Sequence, residues 1–290
     1  MRLALGSAQF GLAYGVSNQN GQVSRDEVRE IIAQARRASV DTIDTAIAYG
    51  DSEACLGEAG VTDFKIVTKL PPLPEGTDDV GQWVTTLMNG SLERLRVPHI
   101  HGLMLHRADQ LLGPQGKALA AALKQVQREG MVAKVGISVY DPEQLAVITP
   151  FFSPDIVQAP LNLLDRRLET SGWLQRLHEA GAEVHARSAF LQGLLLMDPA
   201  AMPPRFGRWN KLWQTWHDWL ALKAVSATRA CLQYPLSLSQ VDRVVVGVSS
   251  LTEWRMLLED AATTNNGTTA FPDIACSDPD LINPSHWNQS

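Results

Sequence analysis

The stretch from Asp41 to Gly57, DTIDTAIAYGDSEACLG, ends an apolar β-like segment on a carboxylate, Asp44, and sets a phenol, Tyr49, in the turn that follows. Two later β-like segments end on basic side chains: IVTKL carries Lys69 and GLMLH carries His106. A charge inside a core is tolerated where it is paired, so Asp44 and Lys69 read as partners. A free phenol has a pKa of ~10 and exchanges its proton poorly at neutral pH. A neighbouring ammonium favours the phenolate and lowers that value, and Lys69 is placed to do this for Tyr49. His106 can hydrogen-bond a carbonyl oxygen and orient it. Together the four make a proton donor for an oxygen that becomes an alkoxide, the acid half of carbonyl reduction. No side chain supplies a hydride, so that half requires a cofactor.

These residues can meet only if the segments carrying them lie side by side. Eight short β-like segments alternate with helical ones: LALGSA, VDTIDTA, FKIVTKL, HIHGLMLH, VAKVGIS, DIVQAP, AEVHARS and VDRVVVGVS. The first long helix opens at Ser24 with Glu27 three residues on, a capping box, and Val28, Ile31, Ile32 and Ala35 share one face. Pro71 and Pro72 stop the third strand, and Gly130 ends the helix Gln115 to Glu129. Such alternation means parallel strands with right-handed crossovers. Eight units in roughly 250 residues is the size of a (β/α)8 TIM barrel. The competing doubly wound sheet usually carries G-x-G-x-x-G after its first strand, and LGSAQFGLAYG does not fit that spacing.

The predicted fold is therefore α/β, a single-domain TIM barrel over residues 1–262, followed by an irregular tail over 263–290 rich in Asn, Thr and Pro. In a TIM barrel the C-terminal strand ends form the site. That rim adds Ser138, Gln158, Arg187 and Ser188 to the four residues above. The segment RWNKLWQTWHDWLALK spaces Trp209, Trp213, Trp216 and Leu220 as one face of a helix. This face packs onto the barrel, or else the loop that leads to it roofs the substrate pocket.

Composition narrows the partners. The net charge of −6 argues against a nucleic acid held through its phosphates. No run approaches the ~20 apolar residues of a membrane helix, and MRLALGSAQFG lacks the apolar core of a signal peptide. Cys55, Cys231 and Cys276 are widely spaced and odd in number, which fits reduced thiols and a cytoplasmic, soluble protein without membrane partner. His99, His101 and His106 do not share one parity and no carboxylate follows closely, so no metal site is expected.

The order Asp44, Tyr49, Lys69, His106, in the settings DTAIAYGDSEACLG, IVTKL and LMLHRAD, resembles the catalytic tetrad of the aldo-keto reductases. The resemblance runs from about Leu3 to Ala261 and includes GISVYDPEQL, VQAPLNLLDRR and VVVGVSSLTEW. It implies a barrel that binds an extended nicotinamide cofactor without a Rossmann domain. Tyr49 would be the general acid in reduction or the base in oxidation, Lys69 would depress its pKa, Asp44 would hold Lys69, and His106 would orient the substrate oxygen. The substrate would be a small carbonyl or hydroxyl compound, sugar-like by analogy. Ser138 and Gln158 match residues that grip the nicotinamide carboxamide, with Asn162 close by, while Gly6 and Phe10 would line the site.

Three departures stand out. Many relatives have Ser-Asn where this chain has Ser138-Val139. Many stack a Tyr on the nicotinamide where this chain has Arg187, whose planar guanidinium can also stack. NADPH users often place a basic residue after the glycine of the last strand, whereas here Gly247-Val248-Ser249-Ser250 is followed by none before Arg255. The family default implies NADP(H), held through Gly247, Ser249 and Ser250, and the missing cation leaves NAD(H) open. A cofactor-bound, non-catalytic barrel of the same family is the alternative. An unrelated TIM-barrel lyase or hydrolase would need paired carboxylates or metal ligands at its strand ends, and the sequence offers neither.

Overall fold

The computed structural model describes residues 1–15, 21–263 and 270–287. Eight strands close a parallel barrel in sequence order. They are β1 Leu3–Gly6, β2 Thr42–Asp44, β3 Lys65–Leu70, β4 Ile100–Leu105, β5 Val132–Ser138, β6 Ile156–Pro160, β7 Glu183–Arg187 and β8 Arg243–Gly247. Closure comes from β1 pairing with both β2 and β8, with Gly6 opposite Asp44 on one side and Gly247 on the other. Helices between the strands bury their apolar faces on the barrel, as Val28, Ile31, Ile32 and Ala35 of helix Arg25–Arg37 do.

The period-two alternation of strands builds the interior in layers. Val67, Met104 and Ile156 form a small apolar cluster of their own, apart from the main core. Two residues further along come Lys69 on β3, Gln158 on β6 and His106 just past the end of β4. An apolar plug therefore underlies the polar layer. Glycine makes the plug fit: a Cβ on Gly102 would collide with the Ile156 side chain.

Charges close the other end of the barrel. Glu183 accepts hydrogen bonds from Lys134 (2.9 Å) and pairs with His101 (3.0 Å) and His185 (3.3 Å). Burial works against its charge, yet these three partners hold its carboxyl well below the usual range. A depressed carboxylate stabilises the fold above its unfolded value, 4.5, and that contribution is lost as pH falls below it. Glu183→Gln is thus expected to destabilise by about 1–3 kcal/mol at neutral pH. Urea unfolding should show the gap to the parent protein narrowing below pH 4.5.

The described part of the C-terminal tail packs on the molecule. Ile274, Leu281, Ile282 and Trp287 are buried. Backbone contacts tie it down: Cys276 N donates to Leu164 O (2.8 Å), and Arg166 and Arg205 donate to the carbonyls of Pro272 (2.6 Å) and Trp287 (2.9 Å). The tryptophan-rich segment forms helix Asn210–Lys223, whose Trp213 and Trp216 are buried. Their indole N–H groups donate to Phe206 O (3.0 Å) and Leu195 O (3.1 Å), so the helix packs and its rings stay out of the cleft described next. Among the described residues no helix is long and apolar enough to cross a membrane.

Candidate active site

A cleft of about 320 Å³ opens at the C-terminal ends of the strands. It runs from Tyr49 and His106 across Ser138, Gln158 and Arg187 to Ser249 and Glu253 beyond β8. Asp44 lies at its floor, with Lys69 buried directly beneath. Lys69 is 1% exposed and Asp44 4%. The Lys69 ammonium donates to Asp44 Oδ1 (2.7 Å) and to the Thr45 carbonyl (2.9 Å). Burial pushes Lys69 below the ordinary lysine value, and the Asp44 charge pulls it back up.

Tyr49 is held by backbone rather than by its hydroxyl. Its N–H donates to Ala46 O and its carbonyl accepts from Ser52 N, both at 3.0 Å. The turn lies so close to the first loop that a Cβ on Gly11 would strike the Tyr49 carbonyl, and Gly50 takes a left-handed φ of 52° facing Gly11. The phenol ring then sits with Lys69 Nζ 5.4 Å from its centroid and makes an edge contact with the His106 ring at 5.9 Å. His106, just past β4, is fixed by its N–H to Leu70 O (3.2 Å). Burial first, and Lys69 second, push its pKa down to about 4, so the imidazole is neutral at physiological pH.

One electrostatic expectation needs correcting. Tyr49 was expected to be depressed by Lys69. Instead, burial and the Asp44 carboxylate push the phenol above its ordinary value, and Arg187 is the cation that opposes them. The reason is burial: the phenol is almost wholly desolvated, while the Lys69 ammonium spends its hydrogen bonds on Asp44 and Thr45 rather than on the Tyr49 oxygen. At neutral pH Tyr49 is an O–H donor.

Of the other expected residues, Ser138, Gln158, Arg187, Ser188, Gly247 and Ser249 all line the cleft, as does Gly6. Gln158 has a further role, since its Nε2 donates to Asp44 Oδ2 (2.7 Å) and fixes the second carboxylate oxygen. Arg187 donates to Val139 O (3.1 Å) and Ser188 Oγ (3.2 Å), and its guanidinium lies 4.3 Å from the centroid of Tyr140.

Three of the residues singled out from the sequence lie outside the cleft lining. Phe10 is fully buried in the hydrophobic core, because the short helical turn Ala8–Gly11 points its ring inward and presents Gln9 to the cleft. Asn162 is buried behind the wall, donating to Ser188 O (3.0 Å) and so supporting the left-handed Ser188, φ 61°. Ser250 is the N-cap of helix Leu251–Ala262 and accepts from Glu253 N (3.1 Å).

Sequence reasoning missed Ser7, Gln9, Tyr14, Tyr140, Gln192 and Glu253 as lining residues. The signal for Glu253 was present, as Ser250-x-x-Glu253 reads as a second capping box. Ser7 carried none: its hydroxyl donates to Asp44 O (3.0 Å), a contact made by the pairing of β1 with β2.

The cleft suits an extended nucleotide. Gly6 and Gly247 leave bare backbone along one wall, where a Cβ on Gly247 would meet Gln9 Oε1 at 2.6 Å. That same Gln9 Oε1 is buried without a hydrogen-bond partner among the described residues, an acceptor available to a ligand donor. Residues 2–263 match the model of the aldo/keto reductase family. The chain belongs to that family.

Its aldo/keto reductase relatives are oxidoreductases, and members of the family use NAD(P)H. L-galactose dehydrogenase of Arabidopsis thaliana is 24% identical, over 80% of this chain and 77% of that protein. The NADH-specific methylglyoxal reductase of Escherichia coli is 25% identical, over 73% and 71%. Among solved structures, the holo form of an aldo-keto reductase from Bacillus halodurans superposes with a TM-score of 0.72 at 20% identity, over 91% of this chain and 87% of that one. This agrees with the closed eight-stranded barrel of the present aldo/keto reductase.

Proposed function

We propose that this aldo/keto reductase reduces a small aldehyde or ketone to the alcohol, or runs the reverse oxidation, by hydride transfer with Tyr49 as general acid or base. The observation that carries the reading is the buried Lys69–Asp44 pair under a phenol that shares the cleft with a neutral imidazole. A bound nicotinamide dinucleotide supplies the hydride. Tyr49 donates its proton to the carbonyl oxygen as that oxygen gains charge, and the positive end of the Lys69–Asp44 pair stabilises the phenolate left behind. His106, neutral, has one ring N–H to donate to the same oxygen and so aims the carbonyl. Ser138, Gln158, Ser188, Gly247 and Ser249 are the residues that would hold the dinucleotide, with Arg187 at its nicotinamide end.

Small or sugar-like carbonyl compounds are the substrate class this reading favours. Named relatives act on methylglyoxal and L-galactose, and the polar cleft floor suits a hydroxylated substrate. The test is consumption of reduced dinucleotide on adding small aldehydes and aldoses. Loss of its fluorescence with at least one carbonyl is expected, and none across aliphatic, 2-oxo and sugar aldehydes would contradict the reading.

The protonation states of His106 and Tyr49 give a second expectation. His106 is neutral above about pH 4 and Tyr49 stays protonated beyond its ordinary value of 10, so both donors persist across neutral pH. The kcat of reduction should therefore be flat from about pH 5 to about pH 9. A break near 6.5, the ordinary histidine value, would give His106 a charged role and contradict the assignment.

A further inference from the structure

The β8 end of the cleft is the N-terminus of helix Leu251–Ala262, reached through Ser249 and Glu253. Free amides at such a terminus, aided by the helix dipole, ordinarily suit a phosphate. Here two of them are engaged by carboxylates. Ser249 N donates to Glu253 Oε2 (2.7 Å), and Leu251 N donates to Glu27 Oε1 (2.8 Å). Glu27 comes from the neighbouring helix, Arg25–Arg37. Its backbone N–H meets Ser24 as the capping box predicts, but its carboxylate leaves that box and crosses to the last helix. Two carboxylates thus occupy the place where an anion would bind.

Nearby cations do not offset them. Arg25 pairs with Glu58. Arg243 lies at the opposite end of β8, on Asp41 (3.0 Å) and Thr42 (2.8 Å). Arg255 is exposed on the helix itself.

From this we infer that Glu253 and Glu27 set the dinucleotide preference of the cleft: it takes NAD(H), whose adenosine ribose keeps a free 2′-hydroxyl, over NADP(H). The inference rests on the proposed function, in which a dinucleotide lies with its reacting end at Tyr49 and His106. The ribose-phosphate end then lies toward β8. A 2′-phosphate arriving there must displace carboxylates from the amides and remain beside like charge in a half-buried site, an arrangement that opposes binding. A ribose hydroxyl can instead donate to Glu253, as acidic residues do for the ribose of NAD in other dinucleotide folds.

The test is titration of the full-length protein with NADH and with NADPH, followed by quenching of its tryptophan fluorescence. The parent protein should bind NADH about tenfold or more tightly than NADPH, a factor of ten being about 1.4 kcal/mol. Glu253→Gln keeps an oxygen acceptor for Ser249 N while removing the charge. It should tighten NADPH about tenfold and leave NADH unchanged or weaker. Glu27→Gln should act in the same direction through a residue outside the cleft lining.

Equal or tighter binding of NADPH by the parent protein would overturn the inference. So would a NADPH affinity that neither variant alters, or one that Arg255→Ala weakens. In each of those cases the proposed function stands, because a dinucleotide binds. Binding of neither dinucleotide would remove the proposed function itself, and the preference with it.

Discussion

Replacing Tyr49 with Phe is expected to lower turnover about a hundred- to ten-thousandfold while the protein still folds and binds dinucleotide. The size follows from the role. The hydroxyl lies over the Lys69–Asp44 pair and carries its proton at neutral pH, because burial and Asp44 hold it protonated. The fold should be spared for a separate reason: the turn is fixed by the contacts of Tyr49 N and O and by Gly11 and Gly50, none of which involves the hydroxyl. A steady-state comparison of kcat, with melting curves for both proteins, checks this. A variant that turns over like its parent would remove Tyr49 from the chemistry.

Lys69→Met should be costly twice. Removing the ammonium leaves Asp44 buried with Gln158 and no cation, and breaking a buried pair in this way typically destabilises by about 3–5 kcal/mol. In the same variant the phenolate formed at Tyr49 loses its positive neighbour, so kcat should fall by about two orders of magnitude in the protein that remains folded. Denaturant midpoints measure the first effect and active-site-normalised turnover the second. Asp44→Asn separates the two, since the lysine then keeps its charge but loses its pair. Full stability together with full activity in Lys69→Met would contradict the account of the floor.

The barrel was legible because each strand is a short apolar run punctuated by helix signals, and parallel alternation leaves little topological choice. The meeting of Asp44, Lys69 and His106 was legible for a related reason: once the strands are parallel, their C-terminal ends must share a rim. What the sequence hid were consequences of closure and of partner choice. Gln158 reaches Asp44 across the barrel mouth, from a strand that is not its neighbour. The Glu27 and Glu253 carboxylates each sit in a recognisable capping box, yet neither completes the reciprocal bond to its own N-cap residue: one turns to Leu251, the other to Ser249. Phe10 followed a strand end, but a single helical turn rotates it into the core. The expectation for the Tyr49 pKa failed because it left out the burial of the phenol and the Asp44 charge, which together outweigh the cations around it.

Hydride transfer is the claim on which the rest depends, and isotope transfer tests it most directly. The protein would be given a small aldehyde and a reduced dinucleotide deuterated at the hydride-donating carbon of the nicotinamide, and the alcohol product examined by mass spectrometry and NMR. One deuterium on the former carbonyl carbon, abolished by Tyr49→Phe, is the predicted result. An alcohol with hydrogen from water at that carbon, or no alcohol at all, would contradict it.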